Sequence, residues 1–415
     1  MQRLLRGLTL DLRPLRHRDF ALLVGGRTVT LLGTQFTALA MPFQIFQLTH
    51  SAFANGLFGL AQVGPLLLFA FIGGALADAR DRRRMVLLTE IGFTILAALL
   101  ALNAFQARAA LWAVFAIGAV QAGLYALQRP SVDAMLPRLV DRDEVVAAGA
   151  VTAAGQGLGM VAGPALAGAV IAFFGLPWAY IVDVGSFLCS LLLLPLMRAM
   201  PPALLDERVS VRRIGEGLAY AFGRKDLLGT YLVDLAAMIF GIPTALLPAI
   251  AAGFGGAGAL GLMTSAGAVG GWLTFLSSGW TSRVHRQGLG VLAGAVAFGL
   301  FVTLFGLARS LPAAMLFLAL AHAGDAVSGI FRMAIWNRSV PDRLRGRLAS
   351  IELVSYSSGP LLGDFESGAV AAITGVRFSA VSGGVLCVVG CLACALALPA
   401  FRRYDNRRLP AESGS

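Results

Sequence analysis

Charged side chains lie inside several long apolar segments of this sequence, where an unpaired charge is costly and usually serves a function. Arg27 is one of them, and Thr34 and Gln35 lie on or near the same face of a helix through its segment. A guanidinium inside an otherwise apolar cavity would attract an anionic or catechol-bearing ligand. We therefore take Arg27, Thr34 and Gln35 as candidate cavity residues. A structural ion pair between Arg27 and an acid on a neighbouring helix is the alternative.

Acidic side chains in the second half of the chain could carry protons. Asp325 and Arg332 are seven residues apart, so a helix would place them on one face about 10 Å apart along its axis. Asp325 is therefore a candidate proton carrier, with Arg332 tuning its ionisation or holding a substrate, and a purely structural pair is the alternative. Asp234, Asp364 and Glu366 are further proton-coupling candidates. The last two are about 200° apart on a helical wheel, so they cannot both face one cavity.

The composition places these charges in a membrane protein. Of the 415 residues, 57% are hydrophobic and only 13% are charged, which is far more apolar than a soluble globular chain. Windows of about 20 apolar residues predict twelve spanning helices, so the expected fold class is all-α integral membrane protein. The windows cover residues 20–47, 53–79, 84–106, 109–129, 145–174, 177–198, 227–254, 258–281, 288–308, 311–337, 348–374 and 377–401.

The most polar segment between these helices is 199–226, and it divides them into two sets of six. Apolar residues recur at helical spacing within it and predict an amphipathic helix on the membrane surface: Val211, Ile214, Leu218 and Phe222. The expected organisation is a six-helix half at 1–198, a cytoplasmic linker at 199–226, a second six-helix half at 227–401 and a cytoplasmic tail at 402–415.

The basic residues are distributed unevenly between the loops. Of the 33 basic residues, 28 fall in the ends and loops on the side of the N-terminus, and three fall on the other side, namely Arg108, Arg309 and Arg377. Because cytoplasmic loops are enriched in Arg and Lys, both termini are predicted to be cytoplasmic. The net charge of +11 is thus a topology signal, and nucleic acid is not an expected partner.

Two similar segments indicate that the two halves are related. The segment "PRLVDRDEVVAAGAV" precedes the pair Gly163 and Pro164, and "PDRLRGRLASIELVS" precedes the pair Gly359 and Pro360. Two related six-helix halves around a central site are an architecture of membrane transporters. The repeat therefore predicts a transporter.

The segment "GGALADARDRRRMVL" at 73–87 resembles the signature loop "GxxxDxxGR[RK]" of the major facilitator superfamily. By this resemblance the glycine lets two helices approach, the aspartate caps a helix end, and the arginines bridge to the other half as a cytoplasmic latch in the outward-facing state. Asp81 departs from the pattern, because it stands where the superfamily has a second glycine. The latch residues implied by the resemblance are Gly74, Asp78, Arg82, Arg83 and Arg84.

Other stretches are similar to the branch of the superfamily that contains the enterobactin exporter, and an acid at the position of Asp81 is typical of that branch. They are Arg27 in its apolar segment, "PFQIFQLTHSAFANGL" at 42–57, "RPSVDAMLPRLVDRDEVVAAGA" at 129–150 and the arginine pair at 402–403. The resemblance covers nearly the whole chain. It implies the major facilitator fold, with twelve transmembrane helices in two six-helix halves.

The segment "GMVAGPALAG" at 159–168 resembles the antiporter motif "GxxxGPxxGG" of drug exporters in this superfamily, with Ala167 at the first glycine of the closing pair. Glycines four residues apart permit close helix packing, and a proline removes a backbone donor and bends the helix. The resemblance favours export over uptake, and ordinary packing of small residues is the alternative. The motif residues are Gly159, Gly163, Pro164 and Gly168.

The residues and the resemblance together predict a secondary active exporter in the cell inner membrane that is coupled to protons and works by alternating access. Its expected substrate is a siderophore or a similar amphipathic small molecule. A broad-specificity drug or macrolide efflux antiporter of the same fold is the alternative. The sequence contains no GxxxxGK[ST] segment, so the chain is not expected to hydrolyse ATP or to be an enzyme.

The expected partners are the small-molecule substrate, protons as the coupling ion and the lipid bilayer. The chain is expected to act as a monomer without a cofactor. Its four cysteines lie in apolar segments and are expected to pack as small hydrophobes, so no metal site is predicted: Cys189, Cys387, Cys391 and Cys394.

Overall fold

The computed structural model describes residues 11–79, 81–198, 220, 223–241 and 243–407. It describes the backbone but not the side chains at 71–79, 342–343, 345–347, 349–351 and 353–355. The predicted amphipathic helix of the linker, with Val211, Ile214, Leu218 and Phe222, lies outside the described residues.

Six long helices make up the first half of the chain. They are α1 (Arg18–Thr49), α2 (Ala52–Ala79), α3 (Arg82–Phe105), α4 (Leu111–Met135), α5 (Val145–Phe174) and α6 (Leu176–Leu193). Single 3₁₀ turns at Arg13–Arg16, Leu136–Arg138 and Leu194–Leu196 precede α1 and follow α4 and α6.

Eight helices with described bounds follow between residues 225 and 402. They are α7 (Lys225–Phe240), α8 (Leu247–Ala252), α9 (Ala257–Leu276), α10 (Gln287–Leu307), α11 (Leu311–Ser339), α12 (Asp342–Thr374), α13 (Val376–Ala397) and α14 (Pro399–Arg402). Turns of 3₁₀ helix occur at Thr244–Leu246 and Ser278–Arg283, and the described part of the chain contains no strand.

The chain divides into two compact units. Unit 1 comprises Met1–Leu48 and Ala61–Arg208, and unit 2 comprises Thr49–Leu60 and Val209–Ser415. The first part of α2 therefore belongs to unit 2, whereas the rest of the helix belongs to unit 1. Each unit has its own apolar core, built around Phe20, Val86 and Met135 in unit 1 and around Val291, Phe331 and Cys387 in unit 2.

Eleven segments of the described chain are long and apolar enough to cross a membrane. The twelfth long helix is α12, whose Asp364 and Glu366 lower its hydropathy. Large apolar side chains point away from the protein along these helices, including Trp112, Phe173 and Ile373. A bilayer tolerates such side chains, and helices satisfy their own backbone hydrogen bonds there, so the all-α membrane fold predicted from the sequence is confirmed.

The helix predicted at 227–254 is interrupted, which corrects the sequence prediction. The helix α7 ends at Phe240, and after Gly241 and Pro243 the chain resumes as a 3₁₀ turn and then α8. Pro243 has no amide hydrogen and disfavours helical geometry at the residue before it. Gly241 and Pro243 together therefore end this helix. A proline alone does not end a helix here, because α1, α2, α4, α5 and α12 each contain one.

The helix predicted at 109–129 continues to Met135, because Pro130 is accommodated within α4. Arg129 is one of the 28 basic residues assigned to the cytoplasmic ends and loops. The structure places it six residues inside the helix instead. A proline within a helix removes one backbone hydrogen bond but need not end the helix when neighbouring helices support it.

The helices that carry the two Gly-Pro pairs end in the same way. The helix α5 stops at Gly175, with φ of +96°, and α12 stops at Gly375, with φ of +94°. Their amides donate to the carbonyls of Ile171 and Ala371 at 3.0 and 2.9 Å, respectively. A residue with a Cβ would be strained at these angles, so glycine permits the direct turn into the next helix.

Candidate functional site

A cluster of charged side chains in unit 2 joins α7 and α11. Nη1 of Arg332 on α11 donates to Oδ1 of Asp234 on α7. Nη2 of the same guanidinium lies 3.6 Å from Oδ1 of Asp325, which is on the same helix, α11. The structure thus brings together three residues that the sequence singled out separately.

The two acids of this cluster differ in how tightly they are held. The side chains of Arg332 and Asp234 are 17% and 16% exposed, whereas that of Asp325 is 45% exposed. Removing either partner of the buried contact between Arg332 and Asp234 would leave an uncompensated charge. Asp325 is farther from the guanidinium and more accessible than Asp234, so it is the less tightly held acid of the two.

Glu352 on α12 is a third acid of this cluster, and the sequence analysis missed it. Its side chain is partly buried, and its carboxyl group interacts electrostatically with both Asp234 and Arg332. With all of these groups ionised, three acids would surround one guanidinium. A surplus of negative charge inside a membrane is costly, so this cluster is the candidate proton-binding site.

Glu352 was missed because the sequence prediction began α12 too late. The sequence predicted this helix from 348, which puts Glu352 near its start, but α12 begins at Asp342. Ten residues of helix rise about 15 Å, so Glu352 lies almost three turns into α12 rather than near its start.

Asp364 and Glu366 have different surroundings from each other. Oδ1 of Asp364 accepts hydrogen bonds from the hydroxyl of Thr244 and, at 2.8 Å, from the amide of Ala245. Asp364 thus caps the 3₁₀ turn that follows the break after α7, which favours a structural role for it. Glu366 is partly buried and has no hydrogen bond or ion pair with another described residue.

A second polar cluster lies in unit 1 around Arg27, which is partly buried in α1. The strongest charge–charge attraction on its guanidinium comes from Glu90 of α3. No acid among the described residues lies within 4.0 Å of the Arg27 guanidinium, so the two groups attract each other without contact. Glu90 is only 2% exposed, and its Oε1 accepts a hydrogen bond of 3.2 Å from Nε2 of Gln128.

The other cavity candidates on α1 are less available for a ligand. The Thr34 hydroxyl donates to the backbone carbonyl of Thr30 at 2.7 Å. Gln35 lies against Gly163 of α5, where a Cβ on the glycine would be 2.6 Å from Cβ of Gln35. Arg27 therefore remains the strongest ligand-binding candidate of the three.

The side of α4 near Arg27 adds a residue pair that the sequence analysis did not single out. Nη1 of Arg129 donates to the Tyr125 hydroxyl at 2.9 Å, and its guanidinium carbon lies 5.9 Å from the centre of the Tyr125 ring. Asp133 lies 3.7 Å from Nε of Arg129. Both the arginine and the tyrosine interact electrostatically with Arg27, so α1, α3 and α4 share one polar region.

Comparison with known proteins places this arrangement in a family. Residues 9–411 match the transmembrane secretion effector family of the major facilitator superfamily. The chain belongs to this family. The enterobactin exporter EntS of Salmonella typhi is 28% identical over 411 residues, covering 96% of each chain. The enterobactin exporter EntS of Escherichia coli O1:K1 is 28% identical over 401 residues, covering 94% of each.

Solved structures of transporters share the fold of this family member. The nucleoside transporter NupG has a TM-score of 0.72 at 14% identity, covering 91% of this chain and 98% of its own. A bacterial homologue of the iron transporter ferroportin, in an inward-facing state, has a TM-score of 0.66 at 17% identity with the same coverage. The major facilitator fold predicted from the sequence is thereby confirmed, and the chain is a multi-pass membrane exporter and not an enzyme.

The antiporter-like motif of this exporter forms a glycine seam between α5 and α1. A Cβ added to Gly155, Gly159 or Gly163 would lie 2.4, 3.4 or 2.6 Å from an atom of α1, in Thr28, Leu32 and Gln35, respectively. Pro164 and Gly168 are buried within the same helix. Gly155 was missed, although its spacing of four residues from Gly159 continues the pattern.

Substitution within this seam should destabilise unit 1. We expect Gly163→Ala to lower the free energy of unfolding by about 1–3 kcal/mol, because the added methyl group displaces a packed side chain. Gly149→Ala is the matched control, since nothing lies within 4 Å of a Cβ at that position of the same helix. The thermal unfolding midpoints of the detergent-purified variants measure the difference, and equal midpoints would show that the seam is loosely packed.

The arginines of the signature loop bind backbone carbonyls within unit 1. Nη1 of Arg82 donates to the carbonyl of Ala134 at the end of α4 at 3.2 Å. Nε and Nη2 of Arg83 donate to the carbonyls of Leu194 and Pro195 after α6, at 3.1 and 2.8 Å. The carbonyls of Ala134 and Pro195 lie at helix ends, where the last carbonyls have no partner within the helix. The carbonyl of Leu194 also accepts from the amide of Met197 at 3.2 Å.

A capping hydrogen bond accounts for the aspartate at position 81, where the superfamily pattern has glycine. The side chain of Asp81 caps α3 by accepting a hydrogen bond of 3.2 Å from the Arg84 amide. The side chain of Asp78 and the surroundings of Gly74 lie outside the described part of the structure, so the latch role of these residues stays a prediction.

The cysteines are free thiols within apolar helices. Cys387 and Cys391 are buried one turn apart on α13, and the Cys387 thiol lies 3.8 Å from the carbonyl of Ala295. Within the described ranges, no group of three or more His, Cys, Asp or Glu residues could hold a metal ion.

Proposed function

We propose that this exporter moves a siderophore or a similar amphipathic small molecule out of the cytoplasm across the inner membrane, driven by proton entry. The observation that carries the proposal is the cluster in unit 2, where Asp234, Asp325 and Glu352 surround the single guanidinium of Arg332. Intramembrane acids of this kind are the usual carriers of protons in transporters. Asp325 is the proposed carrier, and Asp234 is the proposed permanent counter-ion of Arg332.

The substrate class is proposed from Arg27 and from the relatives. Curated relatives that match nearly the full length of the chain are named enterobactin exporters. A partly buried guanidinium that no acid of the described residues contacts supports binding of a catechol-bearing or anionic molecule. The antiporter-like seam supports a second candidate, a broad-specificity drug or macrolide efflux antiporter.

The remaining features belong to the same proposal. The six-helix halves at 1–198 and 227–401, joined by a cytoplasmic linker at 199–226 and followed by a cytoplasmic tail at 402–415, would alternate access to a central cavity. The excess of basic residues supports cytoplasmic termini. The signature loop would latch the cytoplasmic side, and the chain would act as a monomer.

Transport into inverted membrane vesicles tests the proposal. With the vesicle interior acidified, we expect uphill accumulation of enterobactin that collapses when a protonophore is added while ATP is held constant. Macrolides and other drugs are tested in the same vesicles, and preferential drug accumulation would favour the second candidate. Uphill transport that survives the protonophore would overturn proton coupling.

A further inference from the structure

Two charged groups in unit 1, the buried Glu90 and the partly buried Arg27, have unused capacity for hydrogen bonds. Oε1 of Glu90 accepts from Gln128, and Ser190 of α6 contacts the same carboxyl group, but Oε2 has no hydrogen-bond partner. The side chain of Arg27 donates no hydrogen bond to any described residue. A buried charged group with an unmade bond is costly, so the pair favours a third polar group that completes both.

The two groups lie at a similar depth. Arg27 is nine residues from the start of α1, and Glu90 is eight residues from the start of α3. At 1.5 Å per residue, both lie about 12–14 Å from those helix ends. Their charges attract, but no ion pair within 4.0 Å joins them, so each group can still bind a third polar group.

The chemistry of the pair selects the group that fits between them. The ligand must donate to the acceptor Oε2 of Glu90 and accept from the guanidinium of Arg27. A hydroxyl does both, whereas a carboxylate has no donor and would be repelled by Glu90. An ammonium has no acceptor and would be repelled by Arg27.

An aromatic surface lies in the same polar region. The Tyr125 ring is 45% exposed, and the guanidinium of Arg129 packs over it. A flat ligand ring can stack on such a tyrosine and arginine pair. A hydroxyl carried by an aromatic ring therefore matches both parts of the region.

We propose that Arg27 and Glu90 form a subsite for the neutral hydroxyl groups of a catechol ring, which lies beside Tyr125. The subsite rests on the proposed function and names the chemical group that the exporter recognises. The Glu90 carboxylate accepts from one catechol hydroxyl, and the Arg27 guanidinium donates to the oxygens. Glu90 is thus a specificity-determining residue, and the site excludes carboxylate ligands.

The subsite is tested by measuring the affinities of two probes for the full-length exporter in lipid nanodiscs. The probes are enterobactin and the same compound with its catechol hydroxyls methylated. We expect the wild type to prefer enterobactin by about tenfold or more, because methylation removes the donors that Glu90 needs. In Glu90→Gln, enterobactin affinity should fall about tenfold while that of the methylated compound changes by less than about twofold, so the preference disappears.

Three further variants complete the test: Arg27→Lys alone, Arg27→Lys with Glu90→Gln, and Asp141→Asn. Arg27→Lys combined with Glu90→Gln should lose less than the sum of the single losses, because both residues hold one group. Asp141→Asn, an exposed acid of the same unit, is the control and should retain the preference.

The outcomes separate the subsite from the proposed function. If the wild type exports enterobactin but binds the methylated compound equally well, the subsite alone is overturned. The same holds if Glu90→Gln still prefers enterobactin over the methylated compound. A wild type that neither exports nor binds enterobactin overturns both. Equal losses for both probes in Glu90→Gln, with a lower unfolding midpoint, would show that Glu90 is only structural.

Discussion

Arg332→Met should lower the free energy of unfolding by about 3–5 kcal/mol, because it leaves Asp234 buried without its cation. Methionine fills a similar volume without a charge, so most of the loss is electrostatic rather than a cavity effect. A proton can neutralise the stranded carboxyl group, so the loss should be larger at high pH than at low pH. Chemical unfolding of the detergent-purified protein, followed by circular dichroism at both pH values, measures it.

A second substitution distinguishes the ion pair from simple packing. Replacing both partners with apolar residues, as in Arg332→Met with Asp234→Leu, removes the buried charges together and should restore most of the lost stability. If the double variant is as unstable as the sum of the single variants, the contact between Arg332 and Asp234 contributes through shape and not through charge.

Asp325→Asn should abolish accumulation of substrate against its gradient while leaving downhill exchange intact. Asparagine has nearly the shape of aspartate but cannot bind and release a proton, so the coupling between proton entry and substrate exit is lost. Asp234 remains beside Arg332 in this variant, so the buried ion pair and the fold should persist. Uphill accumulation in vesicles should fall at least about tenfold, with the exchange of labelled for unlabelled substrate changed by less than about twofold.

Glu366→Gln is the matched comparison for this variant. Glu366 is also an acid within a long helix, but it has no ion pair with another described residue. It should retain accumulation driven by the pH gradient. Loss of coupling in Glu366→Gln and its retention in Asp325→Asn would assign the proton to α12 instead of α11.

Features set by local spacing could be predicted from the sequence. The long apolar segments predicted the helices, because crossing a bilayer requires a continuous apolar length. A separation of seven residues predicted that Asp325 and Arg332 share one face. The glycine spacing in "GMVAGPALAG" predicted a packed face, and the structure shows that α1 is its partner.

Features that depend on which helices meet could not be predicted in this way. Asp234 is 98 residues from Arg332 along the chain, and no local pattern pairs them. Glu352 was overlooked because charged residues of the first turns conceal the true start of α12. Arg129 was counted with a loop because the predicted segment ended at residue 129, whereas α4 continues through Pro130 to Met135. Packing decided each of these cases.

The most direct test of proton-coupled export is the reciprocal flux. Proteoliposomes containing the exporter and a pH-sensitive dye are given enterobactin on one side, with no imposed pH gradient. Linkage requires that enterobactin moving down its gradient drives protons in the opposite direction through the wild type, and that Asp325→Asn shows enterobactin movement without proton movement. Enterobactin flux through the wild type with no proton movement, or with protons moving in the same direction, would contradict proton-driven export.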